Sequence, residues 1–319
     1  MAVTSAPRAN PIARTAQLRA GANIRPRHRH EPVRRPAAAA VVSGGARIAA
    51  LHCYPLKSAR GIELEQALLT AAGLEDDRRW MLVSAAGRFI TQRELPRLAL
   101  LTPTLSAEAL LLSAPLLPPI AITLAHQGPR RPVSVWRDHC VGFDEGDEVA
   151  AWLQAFLGRE CRLVRFDPDH RRLSERAWTG EFEAENRFSD GFPLLALSSA
   201  SLGDLNRRLA APLPMNRFRP NIVLEGLAPY DEDRIVELCG DGLRLKLVKA
   251  CTRCRITTTD QDTGEPDGDE PLRTLQQYRY DAQLHGVCFG QNAIVIEGAG
   301  ATLTRGQWLQ LRWRQPPAP

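Results

Sequence analysis

The stretch RIVELCGDGLRLKLVKACTRCRITTTD, Arg234–Asp260, is rich in β-branched residues and carries a Gly-Asp-Gly punctuation at Gly240–Gly242. It reads as a hairpin, RIVELCG turning into LRLKLVKAC, with RITTTD as a further strand because of its three threonines. Neighbouring residues of an extended chain face opposite sides. Cys251 and Cys254, three apart, then point away from each other. Such a strand would give one sulfur to the core and turn the other toward a cleft.

The flanking sequence continues in the same style. RIAALHCYPLKS runs as a strand into a turn at Pro55, and RRWMLVSAAGRFIT as two strands around a Gly-containing turn. RPVSVWRDHCVGFDEG is another strand pair. GDEVAAWLQAFLG places Val149, Trp152, Leu153 and Phe156 on one helical face, with Gly158 as its stop. LSSASLGDLNRRLAA is a short Ser-capped helix, DEPLRTLQQYR another, and NIVLEG, NAIVIEG and QWLQLRWR are strands. No GxGxxG follows the first strand, and no regular strand–helix alternation exists, so a Rossmann domain is excluded. The expected fold is mainly β with α insertions (α+β): two β-barrel domains. The polar turn DPDHRR, Asp167–Arg172, is the expected boundary, giving domains over 48–166 and 173–319.

At 319 residues, 44% hydrophobic and 24% charged, the chain is a soluble globular type long enough for two cores. Its net charge of +5 is concentrated in residues 1–47, which hold nine Arg and one acid and so carry +8. The body is therefore about −3 and lacks a basic stripe interleaved with aromatics, which excludes nucleic acid as a partner. The Ala/Arg/Pro-rich segment 1–47 is expected to be disordered, an extension more than a targeting segment. The most apolar region, Leu98–Ala125, is broken by four prolines and carries Glu108, so no transmembrane segment is expected. Seven cysteines without regular spacing point to a reducing compartment, the cytoplasm.

On residue chemistry alone the Cys251/Cys254 pair has four readings. Structural zinc needs four ligands, and no second CxxC or CxxH exists, although His285 and Cys288 stand three apart. A redox dithiol needs a helix N-terminus, and RITTTD reads as a strand. A lone thiolate suits a metal that arrives with most of its own ligands. Two inert buried cysteines are the bland alternative.

RFRPNIVLEG (Arg217–Gly226), KACTRCRITTTDQDTGE (Lys249–Glu265) and FGQN (Phe289–Asn292) together resemble the MOSC domain, named for the C-terminal region of molybdenum-cofactor sulfurases. YPLKSARG, DRRWMLV, TQRELPRL and VWRD resemble the β-barrel domain that precedes it in one branch, which contains the amidoxime-reducing components and bacterial relatives acting on N-hydroxylated bases. The resemblance covers residues 48 to about 313. It implies a molybdenum–pterin cofactor, with Cys254 as the metal's protein ligand and Cys251 as a structural residue. Lys57, Ser58, Arg78, Asp190, Arg219 and Asn221 are the implied cofactor contacts. Thr91, Arg93, Gln291 and Asn292 match weaker positions. The implied reaction is a two-electron reduction of a small N-hydroxylated substrate. Some bacterial relatives carry a C-terminal ferredoxin domain, whereas this chain has no cysteine after Cys288. Electrons are then expected from a separate ferredoxin-like, flavin or cytochrome b5-like protein. The alternative is a non-catalytic cofactor carrier or a sulfur-handling MOSC protein.

Overall fold

The hairpin that opens the quoted stretch lies in the wall of a closed barrel. A computed structural model describes residues 40–125 and 127–314 of the chain. Strands Ile235–Gly240 and Leu243–Thr252 pair antiparallel across Asp241 and Gly242, with Gly242 in the left-handed region at φ +68°. Around the barrel the order is Leu194–Ser198, Ile222–Glu225, Ala40–Cys53, Trp308–Arg314, Ile235–Gly240, Leu243–Thr252 and Gly286–Glu297. The last pairs back to Leu194–Ser198 and closes a ring of seven strands. Closure removes the unpaired edges that an open sheet would present. One neighbouring pair, Leu194–Ser198 with Ile222–Glu225, is parallel. A parallel pair needs a crossover, and helix Ser199–Arg208 lies in it. The Ser198 hydroxyl accepts the Ser201 amide at 3.0 Å and caps that helix.

Inside and outside follow the two-residue period. In Leu243–Thr252, Leu243, Leu245 and Leu247 are buried, while Arg244, Lys246 and Val248 are only half-buried. The inward residues join Ile48, Leu51, Leu69, Leu74, Leu194, Ile222, Leu238, Leu309 and Leu311 in one core.

A second core lies under residues 75–166. Strands Trp80–Val83, Arg162–Phe166, Asp138–Asp144 and Arg130–Val135 form a four-stranded sheet; Thr102–Leu105, Ala109–Ala114 and Leu117–Thr123 form a three-stranded one. Helix Asp147–Leu157 packs Val149, Leu153 and Phe156 against Trp80, Leu82, Leu110 and Leu163. Gly158 ends it in the left-handed conformation, its N–H donating to the Gln154 carbonyl at 2.8 Å.

Three expectations are corrected. RITTTD is a 3₁₀ turn over Arg255–Thr258 and not a strand. The Thr257 and Thr258 hydroxyls donate back to the Cys254 and Arg255 carbonyls at 3.0 and 2.8 Å, and this local bonding competes successfully with a sheet ladder. The second strand of RRWMLVSAAGRFIT is reduced to isolated bridges at Arg88 and Phe89. Residues 40–47 belong to the long first strand, paired with Trp308–Arg314, and not to a tail. Residues 1–39 lie outside the described residues. The turn Asp167–Arg172 separates strand Arg162–Phe166 from helix Arg176–Thr179. Hydrogen bonding nevertheless crosses it in space, because the first strand sits between Ile222–Glu225 and Trp308–Arg314. Among the described residues no helix is long and apolar enough to cross a membrane.

Candidate active site

Where the barrel meets the second core, the chain leaves the first strand through Tyr54, Pro55, Leu56 and Lys57. The Lys57 amide is fixed by the Trp80 carbonyl at 2.8 Å, and its side chain is buried. Its ammonium donates to the Phe188 carbonyl and to Asp190 Oδ1, both at 2.7 Å. Burial pushes Lys57 below the usual lysine range, opposed by the Asp190 charge. Desolvation works against ionising Asp190, but the Lys57 charge and hydrogen bond, helped by the Trp136 indole, outweigh it. They hold the carboxyl well below its ordinary range. Asp190 therefore stays a carboxylate with 61% of its side chain exposed to the cleft.

Ser58 follows with φ +68°. Its carbonyl accepts from the Gln92 amide at 2.7 Å, and Gln92 and Gln261 exchange reciprocal amide hydrogen bonds at 3.1 and 3.0 Å. Arg78 and Arg219 are also left-handed, at φ +47° and +55°. Three adjacent non-glycine residues in this sparsely populated region mark a place where the surroundings over-determine the backbone. Both guanidinium groups lie over the Tyr54 ring, at 4.4 and 4.2 Å from its centroid. Burial lifts the Tyr54 phenol to about 12.

Arg78 is paired with the buried Asp77 at 2.5 Å, and its neighbour Arg79 with Asp76 at 2.6 Å. Arg219 donates through Nη1 to the Ala59 carbonyl at 2.6 Å. Its Nη2 is buried with no hydrogen-bond partner. Burial, reinforced by Arg78, draws the Arg219 guanidinium down to about 10, so it remains charged at neutral pH. Asn221 is buried, and its amide bonds to Arg78, Asp77, the Leu195 amide and the His52 carbonyl, which ties Arg78 and Asp77 to the barrel.

Cys254 stands half-buried at the end of the long strand, as the residue before the 3₁₀ turn. Arg93 Nη1 lies 3.9 Å from its sulfur, and the Arg93 carbonyl accepts from Arg255. The Arg93 backbone is held by the hydroxyl of the buried Thr91 at 3.3 Å. Cys251 is half-buried outside the core, which corrects the expectation of a core residue. Its sulfur accepts from Arg253 Nη1 at 3.0 Å. The two sulfurs have different side-chain neighbours, Arg253 for Cys251 and Arg93 for Cys254, and the strand ends between them at Thr252. Among the described residues no cluster of three His, Cys, Asp or Glu side chains converges to hold a metal, so a zinc site built from protein ligands alone has no counterpart there. Gln291 donates to Asp233 at 2.6 Å inside strand Gly286–Glu297, next to Asn292.

These contacts form a circuit. Arg219 touches the Lys57–Ala59 turn, Lys57 binds Asp190, Asp190 accepts the Trp136 indole N–H at 3.0 Å, and the Trp136 ring carries Arg93, which reaches Cys254. A cleft of about 840 Å³ opens on it, lined among others by Phe89, Arg93, Trp136, Asp190 and Lys249. Sequence reading missed Arg172 and Trp136. Arg172, buried, donates to the carbonyls of Arg187, Ser189 and Asp190 at 2.6, 2.6 and 3.1 Å and pairs with Asp138. It thus clamps the segment that supplies both Lys57 partners.

A closed barrel, with a second β-rich unit whose Arg93 reaches the half-buried Cys254, defines a class, and the sequence comparisons agree with it. The MOSC N-terminal beta barrel domain matches residues 45–160 and the MOSC domain residues 183–307. Mitochondrial amidoxime-reducing component 1 of Mus musculus is 39% identical over 242 residues, covering 73% of this chain and 71% of that protein. Component 1 of Homo sapiens is 37% identical over 273 residues, 79% of each. Component 2 of Rattus norvegicus is 38% identical over 237 residues, 71% of this chain and 70% of that protein. The chain belongs to the MOSC-domain family that includes these amidoxime-reducing components.

Proposed function

We propose that this protein is a molybdenum-cofactor-dependent reductase of N-hydroxylated compounds that takes electrons from a separate carrier protein. The observation that carries this reading is the chain of contacts that links Arg219, Lys57, Asp190, Trp136 and Arg93 to the half-buried Cys254, with Arg219 Nη2 buried and unpartnered. A buried cationic donor without an acceptor is costly unless an anion completes it. A phosphate-bearing pterin is such an anion, and a soft sulfur ligand suits the metal it carries. The residues present therefore fit the group.

In this reading Cys254 is the protein ligand to the metal, with the Arg93 guanidinium directed at its sulfur. Lys57, Arg78 and Arg219 would hold the phosphate end, with the Ser58 hydroxyl beside them, and Asp190 would accept from pterin N–H groups. Asn221 keeps Arg78 in place. The bound cofactor supplies two-electron reduction, so that an N–O bond is cleaved, two protons are consumed and water leaves. The donor is ferredoxin-like, a flavoprotein or cytochrome b5-like. The free cysteines support a reducing compartment, and the cytoplasm is the proposed one.

The test is metal analysis and turnover of protein purified from cells that make the cofactor. Molybdenum in the protein, with reduction of hydroxylamine by an artificial donor, is the expected result. Zinc without molybdenum overturns it, and molybdenum without turnover by any donor establishes the non-catalytic carrier instead. Cys254→Ser should keep the wild-type melting temperature and lose its molybdenum. A variant that retained the metal would refute the ligand assignment.

A further inference from the structure

The hairpin joining Arg130–Val135 to Asp138–Asp144 turns through Trp136 and Arg137 alone, since Val135 pairs directly with Asp138. Trp136, the first turn residue, has φ +56°. A two-residue hairpin with a left-handed first position ordinarily places glycine there, because a Cβ is strained in that conformation. Here the position holds the bulkiest side chain available, and 54% of it is exposed. Neither backbone comfort nor solubility favours an indole at such a site.

The ring is nevertheless held firmly. Its Nε1–H donates to Asp190 Oδ1 at 3.0 Å, the Arg93 guanidinium lies 4.4 Å from its centroid, and the Phe89 ring stands 5.2 Å away, tilted by 58°. An aromatic surface is thus oriented by three neighbours and left open to the cleft of about 840 Å³. The same Arg93 reaches the Cys254 sulfur, so wall and thiol share one guanidinium neighbour. Strain kept at an exposed, rigidly oriented aromatic, one guanidinium away from the Cys254 thiol, calls for a ligand with a matching face.

We infer that Trp136 sets the substrate specificity of this cleft by stacking on planar, conjugated N-hydroxylated substrates, so that aryl amidoximes are preferred over hydroxylamine, which has no π face. The inference rests on the reductase reading above. The exposed part of the ring supplies the discrimination, and the N–H bond to Asp190 supplies the orientation.

Benzamidoxime and hydroxylamine turnover by the full-length, metal-loaded protein tests it, alongside equilibrium binding of benzamidine, the planar product. Trp136→Ala should lower the benzamidoxime-to-hydroxylamine ratio of kcat/KM about tenfold, mostly through KM. Trp136→Phe, which keeps a ring face but no N–H, should retain that ratio within about threefold. Benzamidine binding should weaken in Trp136→Ala and persist in Trp136→Phe. An unchanged ratio, or a loss of molybdenum from Trp136→Ala, overturns the inference, the latter by assigning the ring to the cofactor. A wild-type protein that binds molybdenum and reduces neither compound defeats the reductase reading alone. The benzamidine titration then still decides whether Trp136 is a planar-ligand surface.

Discussion

The Asn221 amide is consumed by the protein itself. Its nitrogen donates to the His52 carbonyl at 3.1 Å and to Asp77 at 3.0 Å; its oxygen accepts from the Leu195 amide at 3.1 Å and from Arg78 at 3.2 Å. Asn221→Ala would leave these partners unmatched around Asp77, itself 1% exposed. The expected cost is roughly 2–3 kcal/mol, since a buried group deprived of its partner bears the full desolvation penalty. Chemical denaturation measures it, and a loss below about 1 kcal/mol would show that water or relaxation replaces the bonds. In the sequence, Arg219-Pro220-Asn221 announced a polar site beside a strand. It could not announce that the asparagine is spent on groups 26 to 169 residues away. Arg172 was illegible for a related reason. In DPDHRR it looks like any solvated charge, and only the distant segment 187–190 folding over it makes it buried.

Helix Ser199–Arg208 begins against a buried carboxylate. Glu232 accepts from the Ser198 amide at 3.1 Å and the Ser201 hydroxyl at 2.8 Å. Burial, added to by the neighbouring Asp233 charge, raises Glu232 above the ordinary carboxylate range. The native state then keeps this proton to higher pH than the unfolded chain does. The associated stability is intact below the unfolded-state value and is lost as pH rises through the folded-state one. Glu232→Gln, whose amide can still accept from Ser198 and donate to Ser201, removes that loss. Its melting temperature relative to wild type should therefore increase as pH rises above the ordinary carboxylate range; a flat difference would show that Glu232 is ionised throughout. Another element is mismatched to its geometry. The hairpin at Pro115 and Leu116 joins strands paired at Ala114 and Leu117, with Leu116 at φ +66° and fully exposed. A proline followed by a left-handed residue wants glycine second, and this leucine has no packing to lose. Leu116→Gly should stabilise by roughly 0.5–1 kcal/mol, or about 2 °C in melting temperature. An unchanged or lower value would mean that unfolded-state entropy cancels the strain. Strands with alternating apolar residues, such as LRLKL, were legible in the sequence. RITTTD was not, because threonine hydroxyls serve a sheet face and a 3₁₀ turn equally well.

At the scale of the molecule, composition and strand pattern revealed the β-rich class, whereas the route of the chain was set by pairings that no local window contains. The first strand crosses from the N-terminal sequence into the C-terminal barrel, bonded on one side to Ile222–Glu225 and on the other to Trp308–Arg314. It brings Ile48 and Leu51 into the barrel core, and Leu69 and Leu74 follow in the next strands. A fragment of residues 173–319 would lack all four side chains, each worth about 1.5–3 kcal/mol when buried. It would also carry two unpaired barrel edges. That combined deficit is comparable to the whole stability of an ordinary domain, about 5–15 kcal/mol. The fragment should therefore show strand-type far-UV circular dichroism without near-UV signal, bind a hydrophobic dye and melt without a cooperative transition. A fragment of residues 40–314, which keeps the strand, should melt as sharply as the full chain. Cooperative melting of the shorter fragment would mean that the turn at Asp167–Arg172 divides two self-sufficient folding units. The circuit from Arg219 through Lys57 and Asp190 to Cys254 would then be a docking interface, and mutations such as Asn221→Ala would weaken docking while leaving each half folded.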